Sequence, residues 1–513
     1  MAAVCVLGMA VVLVLFPLGG ASEAGRSYVA AVYEHRVVLN PQPKVQLSRA
    51  QALEHMRQNL DVFEQQAAAA AKQGAQIIVF PEDAIHGFNF SRESIAGYLE
   101  TVPDPTSVSW SPCSDPTRFP NTEVLHRLSC MAKTNSLYLV ANMPSREDCP
   151  AHGHTHCPPD GRYQFNTDVV FSADGTLVAR YRKQNLYFEA AFDVPPLPQL
   201  VTFDTPFAGR FGVLTCFDLL FAEPAVGLVE RAGVRQLVYP TAWMNQLPLL
   251  AAVQWQRSFA YAAGVALLAA NVRSAALGMT GSGIFSPWEA LYHHTADHSE
   301  DGTLLVHRLP VLDPLRPDLQ PPKLPPPFSG KPEPQYCLRE GGGCQQGPAP
   351  PEPLPNASST FSAEMMYDHF TMATLEGGEG EMTVCDHALC CHLQFRRVRA
   401  GPEELYALAA FDGLHVVHGT YYLQVCALVR CAGHASDSCG QETEHAQTLL
   451  DFRLAGNFSV HHVFPGLLGS AMQLDRPDHS GWEGRSFYMS RHGMGRGLVT
   501  AVLYGRAYNR DHT

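Results

Sequence analysis

Three side chains in this sequence have the types and settings for nucleophilic attack on a carbonyl carbon. Cys216 lies in Gly209-Arg-Phe-Gly-Val-Leu-Thr-Cys-Phe-Asp-Leu-Leu-Phe-Ala-Glu-Pro224, where an apolar strand-type run gives way to a helical pattern opened by Glu223 and Pro224. The thiol therefore sits at a strand-to-helix elbow. An unperturbed thiol, with a pKa of about 8.5, is only a few per cent thiolate at neutral pH, so attack needs a base. Glu82, followed by Asp83, ends the buried-strand run Gln76-Ile-Ile-Val-Phe-Pro81 and is placed to be that base. Lys183 ends a second strand run and offers a cation for the developing oxyanion, with the Phe217 N–H as a backbone donor; such donors are each worth roughly 3 kcal/mol. Taken singly, each has a plainer account: a structural cysteine, a solvated strand end or helix cap, and an edge charge that blocks sheet pairing.

Cysteine parity separates Cys216 from the others. Of the fourteen cysteines, Cys5 falls in an apolar leader, and the remaining odd number cannot all pair internally. Cys113 with Cys130, Cys149 with Cys157, and Cys337 with Cys344 form local clusters, as do Cys385, Cys390, Cys391, Cys426, Cys431 and Cys439. Cys216 stands alone inside a strand pattern and is the expected free thiol.

The elements that must position these residues alternate between strand and helix. Tyr28-Val-Ala-Ala-Val-Tyr-Glu34 is a buried strand, and Ser48 caps a helix with Leu53, Met56, Leu60 and Phe63 on one face, stopped at Gly74. A helix over 121–133 and the strand Leu137-Tyr-Leu-Val-Ala-Asn142 follow. Residues 167–183 read as a hairpin about the Asp174-Gly175 turn, ending at Lys183. Beyond the elbow come a helix at 223–232, the strand Gln236-Leu-Val-Tyr-Pro240, a helix at 247–263 and the strand Ala266-Leu-Leu-Ala-Ala-Asn271. This is an α/β domain, and Trp243 and Met244, on the loop after Tyr239, are candidates for pocket walls and equally for core packing. Proline, glycine and polar residues dominate from Pro310 to Pro355, and short strand patterns fill the remainder. The expected organisation is a signal peptide over 1–24, an α/β domain over 25–309, a linker over 310–358 and a smaller β-rich, disulfide-containing domain over 359–513.

The leader (apolar from Ala2 to Gly19, then small residues at Gly20, Ala21, Ser22 and Ala24) implies secretion, as do the glycosylation sequons at Asn89, Asn356 and Asn457. No later run predicts a membrane span or a lipid-anchor tail. A net charge of -13 without a basic run argues against nucleic acid as a partner. His152, His154 and His156 beside Cys157 read as a polar loop, and Cys385, Cys390, Cys391 and His392 as disulfide chemistry; no metal and no cofactor is expected.

Val79-Phe-Pro-Glu82, Arg180-Tyr-Arg-Lys-Gln-Asn-Leu186 and Leu214-Thr-Cys-Phe-Asp218 resemble, in order and spacing, the Glu, Lys and Cys motifs of the nitrilase superfamily of carbon–nitrogen hydrolases. Ala30-Ala-Val-Tyr-Glu-His35, Pro159-Asp-Gly-Arg-Tyr-Gln-Phe-Asn166, Tyr239-Pro-Thr-Ala-Trp-Met-Asn245, Gly278-Met-Thr-Gly-Ser-Gly283 and Ala409-Ala-Phe-Asp-Gly-Leu-His415 resemble its biotinidase and vanin branch. The runs at 186–195, 202–212 and 417–431 are nearer the biotinidase side of that branch. The resemblance implies an αββα sandwich with Glu82 as general base, Lys183 stabilising the tetrahedral intermediate, and Cys216 carrying a thioester. Glu189 is the nearest match to a second glutamate of such sites. It further implies a secreted, unanchored monomer acting on small-molecule biotinyl-amides (biocytin, biotinyl-peptides), with acyl transfer when another amine competes with water. A pantetheinase with the same machinery and a non-catalytic biotin carrier are the rival readings.

Overall fold

The first strands are apolar on both faces, so both faces must be covered. In the computed structural model, which describes residues 26–149, 157–297, 301–312, 360–401 and 403–511, this is what the first part of the chain does. Strand β1 (Ser27–Arg36) turns Tyr28, Ala30 and Val32 into one core, and Val29, Ala31 and Tyr33 into another. The leader, most of the linker with Cys337, Cys344 and Asn356, and His152, His154 and His156 lie outside the described residues.

Helix α1 (Arg49–Lys72) begins in the expected capping box: Gln51 N donates to Ser48 Oγ, and Ser48 N to Gln51 Oε1 at 3.0 Å. Its apolar stripe covers β2 (Ile77–Val79), with Phe63 stacked on Phe80 at 4.0 Å between ring centroids. Helix α2 (Glu123–Asn135) leads to β3 (Tyr138–Asp148), and β4 (Arg162–Phe171) and β5 (Leu177–Arg182) form the expected hairpin. After β6 (Thr202–Thr205) and β7 (Gly209–Val213), α3 (Gly227–Glu230) is shorter than expected, because Pro224 disfavours helical backbone at Glu223, which is extended. Strand β8 (Gln236–Thr241) precedes α4 (Ala252–Ala263), which likewise starts after Pro248 rather than at residue 247. Then come β9 (Ala266–Arg273), β10 (Ser282–Phe285), β11 (Ala290–His293) and β12 (Gly302–Pro310).

The strand order β5-β4-β3-β2-β1-β9-β8-β7-β6 folds upon itself at the short parallel pairing of β1 with β9. Val32, Val79 and Val140 on one half meet Val213, Val238 and Leu268 on the other in a shared core. Helices α1 and α2 cover one outer face and α4 the other, giving the αββα sandwich. Strands β2 and β7 are therefore not sheet neighbours. Their carboxyl ends approach across the sandwich.

The residues after 360 form a second sandwich of seven-stranded and five-stranded sheets. Its seven-stranded sheet packs on α4, with Trp255 and Phe259 against Phe464. Disulfides join Cys113 to Cys130, Cys149 to Cys157, Cys385 to Cys390, Cys391 to Cys426 and Cys431 to Cys439, and Cys216 is free and buried. The Cys391–Cys426 bridge ties the two sheets of the second sandwich together. Denaturing alkylation without reduction, followed by peptide mapping, is expected to recover these five linkages with Cys216 alkylated. Cys216 within a disulfide contradicts the structure.

Candidate active site

Four chain segments converge beyond the strand ends. Glu82 follows β2, Lys183 follows β5, Cys216 follows β7, and Ala242 follows β8. Burial at such a place demands that every charge find partners, since an isolated buried charge is strongly disfavoured. Glu82, 1 % exposed, has both oxygens engaged. Its Oε1 accepts from Lys183 Nζ at 2.7 Å and Asn166 Nδ2 at 2.8 Å, and its Oε2 from Ala242 N at 3.0 Å.

Lys183 Nζ also donates to Glu189, so the ammonium lies between two carboxylates. Asn166 Nδ2 donates to Glu189 Oε2 at 2.8 Å, which closes the triad. Burial alone lowers the Lys183 pKa, but Glu189 and Glu82 outweigh it and hold the ammonium well above its usual value. The second glutamate is thus brought beside the lysine.

Cys216 opens a short 3-10 turn, Cys216–Leu220, with its backbone in the left-handed region at φ 46°. A non-glycine residue there is held by its surroundings. Asp168 Oδ2 accepts from Thr215 Oγ1 at 2.7 Å, and Asp218 Oδ2 accepts from Thr215 N at 3.1 Å and Tyr181 OH at 2.7 Å. Tyr239 OH donates to Cys216 O at 2.8 Å. Burial first, then the charge of Glu82, push the thiol well above its usual pKa, while Lys183 and hydrogen bonds from Thr241 and Ala242 oppose this. Burial and the Glu82 charge thus favour the neutral thiol over the thiolate.

A cavity of about 340 Å³ opens on Glu82, Lys183, Glu189, Tyr187 and Met244. A smaller hollow of about 40 Å³ adjoins it and shares Tyr187, Ala242 and Met244. Phe217 and Trp243 line that hollow, and the Trp243 indole donates to Leu250 O at 2.9 Å. Met244 therefore faces the large cavity, and Trp243 does not. Phe217 N lies in the first turn of the 3-10 segment, where N–H groups have no partner within the turn. Asn89 is exposed at the cavity mouth, and Asn457 is exposed on the second sandwich.

Sequence reasoning passed over Asn142, Asn166, Asp168 and Asp218. Asn142 Nδ2 donates to Asn166 Oδ1 at 2.6 Å and Asp168 Oδ1 at 2.8 Å, so these residues link the Glu82 cluster to the Cys216 turn. The available signal was a polar residue inside an otherwise apolar strand, as at Asp168 in Thr167-Asp-Val-Val-Phe171. Cysteines 385, 390 and 391 are all in disulfides.

The electrostatic reading is open to test. The rate at which iodoacetamide alkylates Cys216 should still be climbing above pH 9, because burial and Glu82 both raise the thiol pKa. In Glu82→Gln a raising influence is removed while Lys183 remains, so the inflection moves to lower pH. An unchanged profile contradicts the coupling.

A family model described as carbon-nitrogen hydrolase matches residues 44–308, and one described as the vanin C-terminal domain matches residues 359–511. The biotinidase of Takifugu rubripes is 55 % identical over 97 % of both chains. The Homo sapiens biotinidase is 51 % identical over 94 % of this chain and 90 % of its own. The pantetheinase of Canis lupus familiaris is 43 % identical, covering 95 % of this chain and 90 % of its own. On these matches, with the αββα sandwich and the second β-sandwich behind them, the chain belongs to the carbon-nitrogen hydrolase family, in the biotinidase and vanin branch of the nitrilase superfamily.

Proposed function

We propose that this chain is a thiol amidase that hydrolyses biotinyl-amides such as biocytin, releasing biotin and the amine. The observation that carries the chemistry is the buried contact of Lys183 with both Glu82 and Glu189, electrostatically coupled to the free thiol of Cys216. The substrate rests on the relatives: several biotinidases are 51–55 % identical, and the pantetheinases 42–43 %.

The substrate amide enters the cavity with its carbonyl carbon against Cys216. Glu82 takes the thiol proton as sulfur attacks, so charge moves to the carbonyl oxygen rather than resting on sulfur. Lys183 Nζ and the Phe217 N–H meet that oxyanion. Glu82 then gives its proton to the departing nitrogen, and the C–N bond breaks to leave a thioester on Cys216. Water enters, Glu82 removes one of its protons, and hydroxide adds to the thioester carbonyl. Collapse releases biotin, and the thiolate regains its proton from Glu82. An amine in place of water takes the acyl group by the same route.

Glu189 holds Lys183 in position and balances its charge, which leaves Glu82 free to exchange protons. Five disulfides among the described residues suit secretion into an oxidising compartment, where thiols pair.

Three measurements check the proposal. Cys216→Ala should abolish turnover of biocytin, and retained hydrolysis overturns the nucleophile. Glu82→Gln should lower kcat by about 10²- to 10⁴-fold, the range for loss of a general base, with far less change in KM. Side by side, biotinyl-amide should be turned over faster than pantetheine by orders of magnitude; the reverse order makes the chain a pantetheinase, and biotin binding without turnover makes it a carrier.

A further inference from the structure

The mechanism leaves two buried polar side chains on the cavity wall without a task. Asp83 and His86 both line the space that opens on Glu82 and Lys183, and they are only 7 % and 1 % exposed. Asp83 Oδ1, His86 Nδ1 and His86 Nε2 have no hydrogen-bond partner among the described residues. The carboxylate oxygen and Nε2 are 3.4 Å apart, but not aligned for a hydrogen bond.

Buried polar atoms in folded proteins are nearly always satisfied, and each orphan is strongly disfavoured. Three together, on two residues that line one cavity, call for a partner that enters it. The surroundings fix the character of that partner. His86 lies between aromatic rings, stacked on Phe90 at 5.9 Å and edge-on to Phe192 at 6.3 Å. Burial pushes its pKa down to about 3, so the imidazole is neutral, with one N–H to donate and one nitrogen to accept. Burial, followed by the charges of Glu82 and Glu189, raises the Asp83 pKa and disfavours a second anion nearby. The backbone of Asp83 is pinned by its N–H to Asn142 Oδ1 at 3.0 Å, in the left-handed region at φ 54°. A charged ligand group is a poor match for this place. A neutral group presenting both an N–H and a carbonyl is a good one.

We propose that Asp83 and His86 are the acyl-recognition pair of this site: Asp83 Oδ1 accepts an N–H of the biotinyl cyclic urea, and His86 donates its ring N–H to the urea carbonyl. This assignment rests on the biotinyl-amide reading above. Phe90, Ile95, Phe192, Leu277 and Met279 supply the apolar wall for the rest of the acyl group. The pair gives the site a means of preferring a urea-bearing acyl group over a plain alkyl one, since a site built around hydrogen bonds discriminates against analogues that leave its polar groups unpaired.

The test uses 4-aminobenzoate amides of biotin, of desthiobiotin (cyclic urea, no sulfur ring) and of hexanoic acid (neither). Wild-type enzyme that shows no preference for biotinyl over hexanoyl substrate overturns the underlying substrate reading before any variant is compared. Given that preference, His86→Phe should lower the biotinyl-to-hexanoyl ratio of kcat/KM by about tenfold or more, mainly through KM, with the desthiobiotinyl ratio falling alike. His86→Gln, which keeps a neutral donor and acceptor, should restore part of the ratio, and Asp83→Ala should lower it. Equal loss on all three substrates, no loss on any, or loss confined to the biotinyl amide overturns the urea assignment.

Discussion

The structure depends on the placement of one largely buried ammonium between two largely buried carboxylates. Lys183 bridges Glu82 and Glu189, and Asn166 supplies a donor to each glutamate. Together the three side chains carry one net negative charge, held by the Asn166 amide and the Ala242 N–H as well as by Lys183. Such a cluster is stable only while complete. Loss of one partner from a buried pair typically destabilises by about 3–5 kcal/mol, because the remaining charge is left without compensation. Burial first, and then the charge of Glu82, raises the pKa of the Cys216 thiol, so the nucleophile is formed as it attacks. It does not rest as an oxidisable thiolate.

The turn that carries Cys216 is braced from both sandwiches. From the first, Asp168, Asp218, Tyr181 and Tyr239 hold its backbone and the preceding threonine. From the second, Arg506 Nε donates to Leu220 O at 2.9 Å, while its guanidinium is fixed by Asp511 at 2.8 and 2.9 Å. Gly419, at φ 128°, lets the second sandwich approach so closely that a Cβ there would lie 2.7 Å from the Phe217 ring. A disulfide-stapled β-sandwich thereby supports a strained backbone that the α/β layers alone do not enclose.

Much of the frame was legible because local rules decided it. The Ser48 cap, the Asp174-Gly175 hairpin turn and the two-faced apolar strands follow from neighbouring residues, and the structure contains each of them. The helices expected from 223 and 247 start later in the structure, because Pro224 and Pro248 disfavour helical backbone in the residue before each. Cysteine parity picked out Cys216, although the left-handed backbone that holds it leaves no mark in the sequence. Glu82 and Lys183 were visible as strand ends, but their approach to Cys216 across facing sheets was not. It depends on how the strand order folds back at β1 and β9. Asn166 gains its role only from its contacts with Glu82 and Glu189 over long sequence separations, Asp83 and His86 only from the cavity they line, and the adjacency of Trp243 to Met244 says nothing of which side each loop residue faces.

The central claim is that Cys216 carries the acyl group between departure of the amine and arrival of water. Acid quenching during turnover of an activated biotinyl ester, followed by peptide mass spectrometry, tests this most directly. The account predicts one biotinyl group on the peptide containing Cys216, labile to hydroxylamine and absent once substrate is exhausted. Turnover with that peptide unmodified at every quench time, or a biotinyl group on another side chain that forms and decays with turnover, would contradict it.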